Sequence, residues 1–200
     1  MKKQIEDTYF MPSFLSVNFS KLFFLFMCLS LQASAASFNF ADISWGSRKS
    51  DVVKTLTAKG YSRTPNATIN KNGDLLFEGK LVGENAQILA YFSGDSLAKI
   101  KVNLVTKDKD AIAVFRKMKN LLSKKYGVPS NDFEFFQNPY YDGDGYETQA
   151  IKLGKATFSS FWGTSLYLEI TEVLTIHIHY ESPEWSQEID DRNRKAASDF

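Results

Sequence analysis

The chain has two histidines, and they lie two apart in the string Thr175-Ile176-His177-Ile178-His179-Tyr180. On an extended strand, residues i and i+2 point to the same face. Such a pair can give a metal two imidazole nitrogens, with a carboxylate completing the set. The sequence brings no third ligand into view. Leu174, Ile176, Ile178 and Tyr180 alternate with Thr175, His177 and His179, which predicts an apolar inner side and a wet outer side. The histidines are therefore read as dispensable solvated side chains, and no metal site and no cofactor is expected.

A second candidate is Asp142-Gly143-Asp144-Gly145-Tyr146-Glu147. It shares its first acids with a calcium loop, but tyrosine stands at the fifth ligand position and the flanks look like strands rather than helices. An Asp-Gly turn explains it better. Cysteine chemistry is confined to Cys28, and the strings G-x-S-x-G, G-x-x-x-x-G-K-[ST] and H-E-x-x-H do not occur. No catalytic residue is assigned.

Residues 131–147 are the most biased stretch. Asp132, Glu134, Asp142, Asp144 and Glu147 are acidic, and no lysine or arginine stands between Lys125 and Lys152. Phe133 and Phe135 have strand-like i,i+2 spacing and are expected to be buried on an edge strand. Tyr140 and Tyr141 sit beside Pro139 and the Asp-Gly pairs, where burial would leave their hydroxyls needing partners. Tyr140, Tyr141, Asp142, Asp144 and Tyr146 are predicted to form a recognition tip on a rigid turn. Stacking rings beside carboxylates suit a protein partner with basic groups, or a saccharide. Trp45 and Trp162, which precede glycines, are read as packing residues.

The elements that must hold these residues follow from periodicity. Ser47 as N-cap, the stripe Val52, Val53 and Leu56, and the stop Lys59-Gly60 predict a helix over 48–59. Strands are predicted over 75–82, 86–92 and 97–105, with Ser93-Gly94-Asp95-Ser96 as a hairpin turn. Ala111, Phe115, Met118 and Leu122 share one face of a helix over 108–126, closed by Gly127 and Pro129. Strands over 151–162, 166–170 and 174–180 complete the set. Ser182 and Pro183 then start an exposed C-terminal helix over 183–200. The expected fold is α+β: a curved antiparallel sheet of about six strands packed by two helices, in the order helix–three strands, twice. One domain over 36–182 is expected, with halves at 36–107 and 108–182.

Trp45-Gly46-Ser47, Val52, Leu56, Lys59-Gly60-Tyr61, Gly79 and Lys125-Tyr126-Gly127-x-Pro129 together resemble a pattern of exported bacterial α+β proteins, mostly uncharacterised. Some of these are built on modules similar to the β-lactamase-inhibitor-like fold. The likeness spans residues 38–180 and rests on helix starts, helix stops and a strand glycine. It implies a fold, export, and action by binding other proteins.

Export also has its own signal. Lys21 precedes the apolar decamer 22–31, and Ala33-Ser34-Ala35 follows. Basic residue, short apolar run and A-x-A site make a secretory signal peptide over 1–35, with Met11 as a second possible start. The run is half the roughly 20 apolar residues of a membrane-spanning helix. Phe26 and Met27 ahead of Cys28 are not the small residues of a lipoprotein signal. Cleavage after Ala35 would leave no cysteine and no formal net charge. Asn66-Ala67-Thr68 is a glycosylation sequon, of consequence only in a eukaryotic secretory route.

Composition excludes other classes. At 44% hydrophobic and 24% charged the chain is globular rather than disordered. A net charge of +1 lacks the basic footprint of a nucleic-acid binder. The resulting expectation is a non-enzymatic binding or interaction module of the bacterial periplasm or exterior, with no membrane span after signal cleavage. The alternative is a hydrolase of glycosidase type whose carboxylates converge only in the fold.

Overall fold

The computed structural model describes residues 38–65 and 73–185. The expected signal peptide, the sequon and the expected C-terminal helix beyond Trp185 lie outside the described residues. The elements run α1 (Lys49–Ala58), β1 (Ser62–Arg63), β2 (Leu75–Leu81), β3 (Glu84–Ser93), β4 (Ser96–Val105), a 3-10 turn (Asp108–Asp110), α2 (Ala111–Tyr126), β5 (Asn131–Phe136), α3 (Glu147–Lys152), β6 (Ala156–Trp162), β7 (Leu166–Ile170) and β8 (Ile176–Glu181). All strands join one open antiparallel sheet in the order β1-β2-β3-β4-β8-β7-β6-β5.

The fold is α+β, as expected, but the strand and helix counts differ from expectation. The described residues hold eight strands rather than six, and three α-helices rather than two. The recurring order is a helix followed by four strands. β4 and β8, the last strand of each set, pair at the centre with Val102 opposite Ile178. The strand order is thus the same read inward from either edge, an arrangement with twofold pseudosymmetry.

The buried stripes explain the layers. Ala86, Ile88, Ala90 and Phe92 of β3 and Ile100, Val102 and Leu104 of β4 point into one core. Leu166 and Leu168 of β7, with Ile176 and Ile178 of β8, continue it across the second half. The period-2 alternation commits the complementary side chains to the opposite face. Val52 and Leu56 of α1, and Ala111, Val114, Phe115, Met118 and Leu122 of α2, cover the core side. Trp45 packs against this core, and Trp162 is buried with its indole Nε1 donating to the Gly127 carbonyl at 2.8 Å.

Several local starts and stops depart from the sequence reading. Ser47 donates its hydroxyl to the Ser44 carbonyl at 2.7 Å, and Arg48 stands at the N-cap of α1 without a side-chain cap. Ile151 and Lys152, expected to open the strand over 151–162, instead close the helix α3. Ile151 and Ala150 are buried on α3, and Gly154 (φ 65°) makes the turn before β6. Ser182 does cap the following turn, accepting the Trp185 N–H at 3.0 Å. Gly79 explains its place in the sequence pattern. A Cβ there would come within 2.6 Å of the Tyr61 ring, so strand β2 accepts Tyr61 only as glycine.

α2 also ties the two halves together. Lys117 donates to the Val82 carbonyl at 2.8 Å, in the β2–β3 turn, and lies 3.7 Å from Glu84.

Candidate functional site

The predicted tip begins where β5 ends. Phe136 is the last strand residue, and Gln137 N–H donates to the Lys155 carbonyl at 2.8 Å. The loop beyond it folds around its own carboxylates. Asp144 accepts the Tyr146 N–H at 2.7 Å through Oδ1 and the Tyr141 N–H at 3.1 Å through Oδ2. Glu147 accepts the Gly143 N–H at 2.8 Å. Gly143 (φ 85°) and Gly145 (φ 80°) supply the left-handed steps that let the chain wrap this way.

These bonds use the acids as backbone acceptors, in keeping with a turn rather than a calcium loop. They also gather the rings. Pro139, Tyr140, Tyr141, Asp144, Tyr146 and Gln149 line a cleft of about 370 Å³. Tyr141 is 65% exposed and Tyr146 60% exposed, although each carries a large ring. Asp142, the fifth predicted residue, is not among the lining residues and stands 3.8 Å from Arg116 of α2.

Arg116 carries the loop's attachment to the scaffold. Its Nε donates to Glu134 of β5 at 2.8 Å while its Nη2 faces Asp142. Lys119, one turn along α2, binds both Glu134 and Asp132. The Ser160 hydroxyl, fully buried on β6, donates to Asp132 at 2.7 Å. Burial works against the Asp132 charge, but the bonds from Ser160 and Lys119 outweigh it and hold that carboxyl below the usual aspartate range. The acids at 132 and 134 are therefore consumed in clamping an edge strand to α2.

The same register overturns the expected burial of Phe133 and Phe135. Asp132 and Glu134 occupy the helix-facing side of β5. Phe133 and Phe135 consequently face away, at 42% and 45% exposure. There Phe133 opens a line of rings across the sheet. It meets Phe161 edge-on at 6.2 Å, and Phe161 stacks on Tyr167 at 5.7 Å. Tyr167 stacks on His179 at 4.1 Å, and His179 meets His177 at 5.7 Å.

The histidines lie on the face away from the helices, as their alternation predicts, but they are not solvated. Their side chains are 16% (His177) and 8% (His179) exposed. The third group missing from the sequence reading is Glu169 of β7, which the β7–β8 register sets directly opposite His177. Its Oε1 is 3.4 Å from His177 Nδ1 and 3.5 Å from His179 Nε2. The hydrogen bond from His177 does most to hold the Glu169 carboxyl well below the usual glutamate range. Burial, opposed by Glu169 and backed by Lys99 and Lys101 nearby, lowers His179. A depressed carboxyl is the reverse of what a glycosidase general acid requires, so the surroundings of Glu169 do not favour the hydrolase alternative.

Comparison with known proteins gives no match to any family model, to any curated protein or to any solved structure.

Proposed function

We propose that this chain is an exported, non-enzymatic binding module of the bacterial periplasm or exterior that takes its ligand at the tip formed by Tyr140, Tyr141, Asp142, Asp144 and Tyr146. The observation that carries the reading is the cleft itself. Large tyrosine rings stand exposed around a carboxylate on a loop pinned by its own backbone hydrogen bonds. Rigid aromatic rings with few torsions give contact area at low ordering cost. A cleft of this volume takes one sugar ring or one side chain of a protein partner. The resemblance to exported bacterial proteins that act by binding points the same way.

Tyr141 and Tyr146 test the tip. With the purified protein on an array of cell-surface oligosaccharides and basic peptides, the double variant Tyr141→Ala/Tyr146→Ala should weaken whichever interaction is found at least tenfold. Its melting temperature should stay within about 3 °C of the parent, because both rings are exposed. Retained binding would move the site elsewhere. Unfolding would make the rings structural.

Export is tested separately. Protein recovered from the periplasm or medium should begin at Ala36, or at Ser37 if the peptidase cuts one residue later. Recovered material that begins at Met1 or Met11 would remove the leader from the account.

A further inference from the structure

The geometry points to a site for a divalent transition-metal ion, Zn2+ being the best fit, held by Glu169, His177 and His179 on the sheet face opposite the helices. The ligand atoms of the three side chains lie within 4.8 Å of one another. Two of the three separations are 3.4 and 3.5 Å, both measured from Glu169 Oε1. Zinc bonds of roughly 2.0–2.1 Å at tetrahedral angles set neighbouring ligand atoms about 3.3–3.4 Å apart. The carboxylate is thus at bonding separation from both imidazoles, and only the gap between the two histidines must close.

The second observation is an orphaned atom. His179 Nε2 is buried without a hydrogen-bond partner and stands 3.5 Å from Glu169 Oε1. Buried polar nitrogens without partners are uncommon, and an ion is one of the few things that satisfies them. The other ring nitrogen is already occupied. His179 Nδ1 is 2.9 Å from the Tyr167 hydroxyl, and the ring lies flat on Tyr167 at 11°. A histidine that ligates a metal commonly has its remote nitrogen held by such a bond, and with Nδ1–H donating to the Tyr167 oxygen the Nε2 lone pair is left for the ion.

A third atom belongs to the same neighbourhood. Asn103 of β4 stands opposite His177 across the β4–β8 pair, and its Oδ1 is also buried without a partner.

The donor set selects the class of ion. Two imidazoles with one carboxylate suit zinc and its neighbours and disfavour magnesium and calcium, which take oxygen ligands. Positive side chains share the face. Lys99 pairs with Glu181 at 2.6 Å, and Lys101, opposite His179, acts on the Glu169 charge. A dication must therefore compete with Lys101, so the affinity expected is moderate. The inference reverses the sequence-level reading of the histidines as dispensable, and it does not depend on the tyrosine tip.

Untagged protein stripped with chelator and titrated with zinc chloride in a calorimeter should bind one equivalent at micromolar affinity. His179→Gln and Glu169→Gln should each weaken binding at least tenfold, while Glu172→Gln, outside the cluster, should not. Lys101→Gln should tighten it. Titration with Co2+ gives a readout that needs no variant. Its visible bands should show tetrahedral nitrogen–oxygen coordination and vanish on zinc addition. Absence of zinc uptake at 100-fold excess, uptake unchanged in His179→Gln, or octahedral cobalt spectra would overturn the proposal.

Discussion

Replacing Phe115 with alanine is expected to destabilise the protein by about 3–5 kcal/mol. Phe115 is fully buried at the centre of the α2 stripe and meets Phe158 of β6 edge-on, with ring centres 5.7 Å apart at 81°. Phe158 in turn packs against Phe136, the last residue of β5, at 5.6 Å, and lies beneath the Arg116 guanidinium. Truncation removes the ring and leaves a cavity where helix, sheet and edge strand meet. The surroundings relax only partly into such a cavity, which adds to the cost of the lost ring. Urea denaturation should show a lower midpoint with an unchanged slope. Phe115→Leu should cost less than half as much. The exposed Phe133→Ala, with only its edge contact to Phe161, should cost no more than about 1 kcal/mol. If Phe115→Ala and Phe133→Ala cost the same, α2 does not anchor the sheet in the way its buried stripe implies.

That anchor was legible before any coordinates. The 3.6-residue recurrence of Ala111, Phe115, Met118 and Leu122, with lysines before Gly127, identified α2 and its buried face. The strands over 75–82, 86–92 and 97–105 were legible for the same reason, since a half-buried antiparallel strand writes its two faces into alternate residues. What failed was short or edge-bound. β1 is two residues long, too short to show any period. Residues 147–152 are a helix too short to show its period, and Ile151 at its end reads equally as the start of an apolar strand.

β5 shows a different kind of failure. Alternation located its two faces, but apolarity chose the wrong one. Asp132 and Glu134 turn inward toward Arg116 and Lys119, and that decision lies in a helix some fifteen residues upstream. The turn after β5 was legible in its residue types, because glycines and short acids announce one, and a cleft there is lined by Tyr140, Tyr141, Asp144 and Tyr146. Glu169 was not legible. Nothing local marks it as a companion of His177, and only the β7–β8 register brings the two together. Pairing register is a property of the sheet, and one sequence read alone does not contain it.

Alkaline instability is the other large effect expected. Burial pushes the Tyr180 hydroxyl well above the ordinary tyrosine range, with Tyr126 and Tyr61 adding to the shift. Burial also raises Tyr167, where the charges of Glu181 and Glu169 oppose a phenolate. Tyr61 and Tyr91 move in the same direction, again mainly by burial. The sign follows from proton counting. Above about pH 10 the unfolded chain releases phenolic protons that the folded chain keeps, so the native state binds more protons and unfolding is favoured as pH rises. Stability is therefore fully present below pH 10 and lost above it. Tyr180, buried among Phe40, Tyr61 and the central strands, contributes up to about 1.4 kcal/mol for each pH unit. Tyr167 adds a smaller amount, because solvent reaches part of its ring and screens the charges around it. Urea midpoints at pH 9, 10 and 11 should fall progressively, and tyrosinate absorbance from the buried rings should rise only together with loss of secondary structure. Tyr180→Phe keeps the packing, removes the ionisable group and should flatten the fall. An equal slope in that variant would place the alkaline weakness outside the central strand pair.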